Sequence, residues 1–309
     1  MVRILFGILL LSLLSCNHTT KVNYKELYAS VESGSKFTKI DGQSVHYRDQ
    51  GKGIPILLLH GICDSLHTWR FWSKELQANG YRVISMDLPG YGLTGKWNRE
   101  YSTENYIDLI HKLIKKLDIE NFSIAGNSLG GYMAWNYAIA HPEDVNSLVL
   151  ISPAGYPLNP PFVVHFGQDK FTKWLAKTFS SKFIYDKISE TVFYDTSKLL
   201  KYDKDRFYNL SKIPDNTEAY MDTFTEILKL SKQEPHLERL KTRTLLLWGE
   251  EDAWIPHEQS KNWKRDVNNI EVINYKKVGH TAQLEIAHQS VSDAIHFLKK
   301  VNATSLEKK

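Results

Sequence analysis

Apolar-rich runs that alternate with helical patterns constrain the fold of this 309-residue chain more than any other sequence feature. Runs of this kind are typical of strands that are buried on both faces. They are Ile54–Leu59, Arg82–Met86, Phe122–Ala125, Ser147–Ile151, Thr244–Trp248 and Ile270–Asn274. Apolar residues at helical spacing fill intervals between them, as in Thr68–Asn79 and from Tyr106 to Leu117, and Leu129–Ala140 is a further helix rich in small and aromatic residues. This order predicts an α/β fold, in which helices cover both faces of a mainly parallel sheet.

The alternation stops between Pro153 and about Leu240. A proline-rich stretch, residues 156–161, breaks the chain there, and the segment that follows has helical patches without a clear buried strand. We therefore expect residues 156–240 to form a helical cap inserted into the sheet domain. Residues 37–155 and 241–300 would form the sheet domain itself, and residues 301–309 a C-terminal tail.

Composition excludes several classes of function. The 39 Lys and Arg residues outnumber the 35 Asp and Glu residues by only four, and no run of five basic residues occurs, so we expect no nucleic-acid partner. Two cysteines, Cys16 and Cys63, are too few for a disulfide scaffold or a structural zinc site. The mechanism that the motifs below imply needs neither a metal nor an organic cofactor.

The N-terminus has the proportions of an export signal. Arg3 precedes an apolar run over residues 4–11, which is shorter than the roughly 20 residues that span a bilayer. The stretch Leu13-Leu14-Ser15-Cys16 resembles a bacterial lipoprotein signal, which implies a signal peptide over residues 1–15 and a lipid on Cys16. Residues 16–36 would then tether an exported enzyme to the outer membrane or the periplasmic face. An ordinary cleaved signal peptide and an uncleaved anchor are the alternatives.

A G-x-S-x-G motif, residues 126–130, lies between the strand Phe122–Ala125 and the helix that begins at Leu129. A strand–turn–helix setting is what a nucleophile elbow requires, because the serine must stand exposed in a strained turn. We therefore expect Ser128 to be a nucleophile. The backbone amides of Leu129 and of Ile62, which follows His60-Gly61, would stabilise an oxyanion.

A serine hydroxyl needs a base to accept its proton. Of the 12 histidines, His280 is the best candidate, because it follows the last predicted strand at the edge of the sheet where ligands bind in such folds. The histidine in turn needs an orienting carboxylate. Glu250, Glu251 and Asp252 directly follow the strand that ends at Trp248, and the residues alone leave the choice among them open.

The ordered set of motifs resembles single-chain α/β-hydrolases from about Phe37 to Lys300, apart from the cap. The motifs are His60-Gly61, Asp87-Leu88-Pro89-Gly90-Tyr91-Gly92, Gly126-Asn127-Ser128-Leu129-Gly130-Gly131, Gly249-Glu250-Glu251-Asp252 and Gly279-His280. The resemblance implies that Asp252 is the acid of a Ser-His-Asp triad and that Glu250 and Glu251 are solvated. Relatives with an aspartate nucleophile, the haloalkane dehalogenases and epoxide hydrolases, are disfavoured by Ser128.

Fifteen aromatic residues between Tyr156 and Phe224 favour an apolar pocket between the cap and the sheet. We therefore predict a serine esterase for small to medium apolar esters, acting through an acyl-enzyme. Hydrolysis of a C–C bond by the same triad is one alternative, and a non-catalytic binding protein of the same fold is another. Cys63, beside the expected oxyanion loop, is interpreted as a small buried side chain rather than as a second nucleophile. The sequence predicts no oligomeric state.

Overall fold

The computed structural model describes residues 34–165, 168–178 and 181–306. The expected signal peptide, Cys16 and most of the tether lie outside the described residues. From Gly34 onward the chain forms one compact unit around an eight-stranded sheet. The strands are β1 (Lys36–Ile40), β2 (Gln43–Gln50), β3 (Ile54–Leu59), β4 (Tyr81–Met86), β5 (Phe122–Asn127), β6 (Val145–Ile151), β7 (Arg243–Gly249) and β8 (Ile270–Tyr275).

The strands lie in the order β1-β2-β4-β3-β5-β6-β7-β8. Strands β3 to β8 are all parallel, whereas β2 runs antiparallel to both β1 and β4. The mainly parallel α/β sheet predicted from the sequence is therefore confirmed. The chain reverses its direction of travel across the sheet between β4 and β5, on either side of β3. Ligands bind beyond the carboxyl ends of strands at such a reversal.

Helices cover both faces of the sheet and bury its aliphatic side chains. They are α1 (Arg70–Ala78), α2 (Thr103–Lys116), α3 (Leu129–Ala140), α9 (Gln259–Asp266), α10 (Ala282–Glu285) and α11 (Ala287–Leu306). One core, between the sheet and helices α1 and α11, contains Trp69, Trp72 and Leu298. The core on the other face contains residues of α2, α3 and α9. Helix α11 continues past Lys300, where the sequence suggested that the core ends, and Val301 is buried.

The described residues of the segment between β6 and β7 form five α-helices, two short 3-10 helices and no strand. The five α-helices are α4 (Phe162–His165), α5 (Lys170–Thr178), α6 (Lys182–Glu190), α7 (Lys201–Ser211) and α8 (Asn216–Leu230). Residues 156–240 are called the cap below. Within the described part of the chain, no helix combines the length and the apolarity needed to cross a bilayer.

Candidate active site

The G-x-S-x-G motif forms a sharp turn between β5 and α3. Ser128 has a φ of 55° and a ψ of −116°, a backbone conformation that is strained for a residue with a side chain. Hydrogen bonds of both the amide and the carbonyl group of Ser128 stabilise this turn. The Ser128 amide donates to the Ile151 carbonyl at 3.0 Å, and the Ser128 carbonyl accepts from Tyr132 at 2.9 Å. The strained conformation thus places Ser128 at the carboxyl edge of the sheet.

The two outer glycines of the motif are required by close backbone contacts. A Cβ atom on Gly126 would lie 2.3 Å from the carbonyl oxygen of Gly130. A Cβ atom on Gly130 would lie 2.2 Å from the carbonyl oxygen of Leu59 at the end of β3. Both distances are far below van der Waals contact, so any side chain at either position would force the backbone of the elbow to move.

His280 and Asp252 are brought together, as the sequence predicts. The Nδ1 atom of His280 lies 2.8 Å from Oδ2 of Asp252, and the Asp252 side chain is fully buried. The other carboxylate oxygen, Oδ1, accepts the amides of Trp254 at 2.8 Å and Ile255 at 3.0 Å. An ionised Asp252 accepts a proton-bearing Nδ1, which leaves the lone pair on Nε2 as a general base requires.

Asn127, inside the motif, ties the elbow to the histidine loop. Its Nδ2 donates to the carbonyl of His280 and to that of Ile151, each at 3.1 Å. The indole of Trp254 stacks on the His280 ring, with a centroid distance of 5.8 Å and an interplanar angle of 18°. The backbone and one face of His280 are therefore both restrained. Sequence analysis did not assign either role, because both depend on contacts between distant segments.

Glu285 joins the cap to the histidine loop. Its buried carboxylate accepts the amide of Gly279 at 2.8 Å, next to His280. It also accepts two amides of the cap, those of Asp195 at 2.8 Å and Tyr194 at 3.2 Å. The His280 amide donates to the cap carbonyl of Val192 at 2.9 Å. We call this arrangement the cap clamp. Sequence analysis missed it, since nothing local marks Glu285 as different from other helical acids.

The two residues expected to supply oxyanion donors lie beside Ser128. Ile62, Ser128 and Leu129 together line a small cavity of about 60 Å³. The loop carrying Ile62 comes close to the elbow, because a Cβ atom on Gly61 would lie 3.3 Å from Cβ of Ser128. Among the described residues, neither the Ile62 amide nor the Leu129 amide has a backbone hydrogen-bond partner. An oxyanion bound by either amide would therefore displace no backbone hydrogen bond among the described residues.

His60 has a structural role in the loop after β3. Its Nδ1 lies 2.6 Å from the carbonyl oxygen of Gly61, and its Nε2 accepts the amide of Leu88 at 2.9 Å. Both ring nitrogens are thereby occupied by backbone groups. Complete burial lowers the pKa of His60, so the imidazole is neutral in the folded protein.

The expectation that Glu251 is simply solvated needs correction. Its side chain accepts the amide of Val278, two residues before His280, at 3.0 Å. Both Glu251 and Glu250 are half-buried rather than fully exposed. The loop after β7 thus holds the histidine loop at two points, through Asp252 on the ring and through Glu251 on the backbone. Only Asp252 reaches the imidazole.

Ser128 and His280 line one cavity of about 390 Å³ between the sheet and the cap. Its sheet wall also includes Gly61, Ile62 and Thr281. Its cap wall is mainly apolar and comes from four cap helices, with Val163, Ile184, Ile188, Phe207 and Met221 among its residues. A cavity of this size fits a small molecule, and its lining favours an apolar one.

Cys63 lines the cavity but is not poised for nucleophilic attack. Loss of solvent around the thiol, with a smaller effect from the neighbouring Asp64, raises the pKa of Cys63 well above its ordinary value. A thiol needs to lose its proton to become an effective nucleophile. Cys63 is half-buried, somewhat less than expected from the sequence, and remains a neutral thiol.

Buried charges interrupt the apolar lining at one place. Arg206 of α7 lines the cavity with only 4% of its side chain exposed, and its Nη2 lies 2.8 Å from Oδ1 of Asp64. Asp203, also in the lining, accepts two bonds from Arg70, at 2.8 Å and 2.7 Å. The two acids offset the two arginines, so this charge cluster is balanced, as buried charges must be.

Comparisons with known proteins agree with this architecture. The sequence profile described as the alpha/beta hydrolase fold matches residues 54–286. A 2-hydroxy-6-oxononadienedioate/2-hydroxy-6-oxononatrienedioate hydrolase of Pseudomonas putida is 29% identical over 267 residues, 82% of this chain and 92% of its own. A 2-hydroxy-6-oxo-6-phenylhexa-2,4-dienoate hydrolase of Comamonas testosteroni is 26% identical over 287 residues, 86% of this chain and 96% of its own.

Solved structures show the same fold. The crystal structure of a bacterial membrane phospholipase A matches with a TM-score of 0.75 and 22% identity. The match covers 98% of this chain and 99% of that one. The two curated relatives and this structure share an architecture and differ in the compounds that their names give.

Proposed function

Because the chain belongs to the α/β-hydrolase fold family, we propose that it is a serine hydrolase that cleaves a C–C bond beside a ketone in an apolar keto acid. The observation that supports hydrolysis is the site itself. Strained Ser128 and the His280–Asp252 pair meet in one cavity with an apolar cap wall. No metal is invoked in this proposal.

The bond class is inferred from the two curated relatives. Their names share a 2-hydroxy-6-oxo unit on a conjugated chain and differ in the group beyond it. This favours the C–C alternative over the esterase that the sequence suggested. In the proposed reaction the Ser128 Oγ attacks the ketone carbon, C6, and His280 takes the hydroxyl proton. The amides of Ile62 and Leu129 bind the resulting oxyanion.

Collapse of the tetrahedral adduct then breaks the C5–C6 bond. For the electron pair of this bond to be delocalised, the proton of the 2-hydroxyl group must first have moved to C5, which makes C5 saturated and C2 a ketone. The electron pair then passes from C5 through the C3–C4 double bond to the C2 oxygen, and His280 returns its proton to that oxygen. The acyl group remains on Ser128 as an ester. A water molecule, deprotonated by His280, hydrolyses this ester, so that one water is consumed and two acids leave. Asp252 stabilises the protonated imidazole in both halves of the reaction.

Ester hydrolysis is the second candidate, and the balanced charge cluster favours it. Among the described residues that line the cavity, Arg206 is the one arginine or lysine, and Asp64 and Asp203 offset its charge. A keto acid would bring a carboxylate to a wall that offers no net positive charge. A neutral ester avoids this conflict and could use the same acyl-enzyme.

Two matched substrates separate the candidates. The purified chain is assayed with 2-hydroxy-6-oxo-6-phenylhexa-2,4-dienoate by loss of its dienolate absorbance, and with p-nitrophenyl esters of graded acyl length by release of p-nitrophenol. The proposal expects kcat/KM for the keto acid to exceed that for the best ester by at least tenfold. The reverse ratio would establish the esterase, and Ser128→Ala would be inactive in both cases.

Export remains a separate proposal that rests on the sequence. Leu13-Leu14-Ser15-Cys16 predicts a lipid on Cys16 and a place at the outer membrane or the periplasmic face. Metabolic labelling with a fatty-acid probe should mark the wild-type chain and not Cys16→Ser. An unlabelled wild-type chain would rule out the lipoprotein interpretation.

A further inference from the structure

Large apolar side chains are exposed on the cap far more than on the sheet domain. Of the ten such residues among the described part of the chain, eight lie between residues 162 and 202. Monomeric soluble proteins seldom gather this much exposed apolar surface in one region without a use for it. We give the name aromatic face to five of them, which lie on helices α4, α5 and α6: Phe162, Phe171, Trp174, Phe183 and Ile184.

The aromatic face adjoins the mouth of the large cavity. Ile184 lines the cavity and is also exposed, so the cavity reaches the surface at this residue. Its neighbour Phe183 is exposed and does not line the cavity. The same pairing occurs on α4, where Val163 lines the cavity and the adjacent Phe162 is exposed. On two separate helices, an exposed aromatic residue is therefore the chain neighbour of a residue that lines the cavity.

The charges of α5 fit an anionic surface. Its sequence, KFTKWLAKT, has three lysines and no acidic residue. One of them, Lys173, is paired with Asp222 of α8 at 2.8 Å, so the net positive charge comes from the other two. Along this sequence Phe171 and Trp174 alternate with the lysines, and their rings contact each other with centroids 6.0 Å apart. Lysine stems can lie along an apolar surface while their ammonium groups reach lipid phosphates. Each unpaired lysine near an anionic membrane strengthens the attraction to it.

We propose that the aromatic face docks on an anionic lipid bilayer and presents the mouth of the cavity to it. Amphipathic helices with aromatic residues on one side and lysines on the other lie in the bilayer interface. The sequence gives an independent reason for a bilayer as the partner, because the N-terminal apolar run and Cys16 predict membrane attachment. A neutral ester of the second candidate function, dissolved in the bilayer, would then enter the cavity directly from the lipid.

The distribution of tryptophan supplies a sharp test. The chain has eight tryptophans, and seven of them are at most 9% exposed, whereas Trp174 is 54% exposed. None lies in the first 33 residues. Bromine atoms on lipid acyl chains quench only nearby indoles. Quenching in the full-length chain therefore reports on contact between the cap and the lipid, whatever the N-terminus does.

The full-length chain is mixed with phosphatidylglycerol–phosphatidylcholine vesicles, with or without brominated acyl chains. We expect the chain to sediment with the vesicles and its tryptophan emission to be quenched, and we expect Trp174→Phe to lose that quenching. Phe171→Ser combined with Phe183→Ser should also abolish the quenching, because each aromatic ring lost weakens docking about tenfold. Phe37→Ser, which removes an exposed ring from β1, is the matched control and should be quenched like the wild type.

Several results would overturn the proposal. A chain that sediments with vesicles without quenching is held by its N-terminus or by another surface. Quenching equal to wild type in Phe171→Ser/Phe183→Ser would show that the aromatic face is not the contact. If vesicles of brominated phosphatidylcholine alone quench the tryptophan emission as strongly as the mixed vesicles do, docking does not require anionic lipid. Loss of a wild-type dimer in the double variant, without quenching in the wild type, would assign the face to a second copy of this chain.

Discussion

The sheet wall and the cap wall of the cavity are held in place by different kinds of interaction. On the sheet wall, Ser128 and His280 stand on turns whose geometry comes from backbone hydrogen bonds and from close contacts of glycines such as Gly126. On the cap wall, residues such as Ile188 and Phe207 reach the cavity from helices that pack through their side chains. Backbone contacts tolerate little change, whereas apolar packing of similar volume can be exchanged at modest cost.

This difference predicts two classes of variant. Changes on the sheet wall should lower kcat, because they disturb the reacting groups, while changes on the cap wall should alter KM and substrate preference. Phe207→Ala is a suitable cap-wall reference, since Phe207 lines the cavity and makes an edge-on contact with Tyr185. The variants below test the division, in order of decreasing effect.

Ser128→Ala should lower kcat by about 10⁴ or more, because removal of a triad nucleophile leaves only binding and oxyanion stabilisation. The thermal midpoint should change little, since alanine occupies the same backbone conformation with one atom fewer. Steady-state kinetics and thermal denaturation of the same preparation measure both effects. Substantial turnover by a folded Ser128→Ala protein would remove Ser128 from the mechanism and direct attention to Cys63.

Asp252→Asn should lower kcat by about 10⁴, the scale of the corresponding change in a serine protease. The amides of Trp254 and Ile255 would hold the oxygen of the introduced asparagine, so its NH₂ group would face Nδ1 and favour the wrong tautomer of the imidazole, whose charged form also loses a partner. Glu250→Gln and Glu251→Gln are the matched controls. Both should stay within about tenfold of wild type, because the amide oxygen introduced by Glu251→Gln can still accept the Val278 amide. A crippled Glu251→Gln with an active Asp252→Asn would show that the acid has been misassigned.

Glu285→Gln should lower kcat by about 10-fold to 100-fold and leave KM nearly unchanged. Its carboxylate accepts three amides, and a glutamine would turn an NH₂ group toward at least one of them, which costs about 1–3 kcal/mol for a buried donor left unpaired. A positioning role through His280 predicts that the pH profile of kcat changes with it. Phe207→Ala should show the opposite division, with a raised KM and a nearly unchanged kcat. If Glu285→Gln changes only KM, Glu285 does not position His280 for catalysis.

His60 should give the smallest effect, a loss of stability in acid. Burial lowers the pKa of His60 in the folded protein, so below about pH 6.5 the unfolded chain binds more protons and the free energy of unfolding falls as the pH falls. The limiting slope for one group is about 1.4 kcal/mol per pH unit. Urea unfolding of wild type and His60→Gln between pH 7 and pH 5 measures it. The variant should be less stable at pH 7 and less sensitive to acid, and equal slopes would refute the effect.

The sheet wall was largely predictable from the sequence, whereas the cap was predictable only in outline. Apolar runs such as Ile54–Leu59 became the central strands, because a strand buried on both faces leaves a local signature. The turn at the G-x-S-x-G motif was also predictable, because its glycines and serine determine the backbone conformation locally. The cap clamp could not be foreseen, since Glu285 binds amides about ninety residues away along the chain. The pairing of Arg206 with Asp64 is equally non-local, over 142 positions.

The cap clamp also determines where the cap could be exchanged for that of another hydrolase. Splice points inside residues 191–195 would remove the carbonyl and amides that hold Gly279 and His280, so a chimera cut there would inherit a misaligned base. Splice points that retain this five-residue strip would transplant the remaining cap helices, and with them the substrate range, onto an undisturbed catalytic centre. Splice points for an exchanged cap are therefore best placed on either side of residues 191–195.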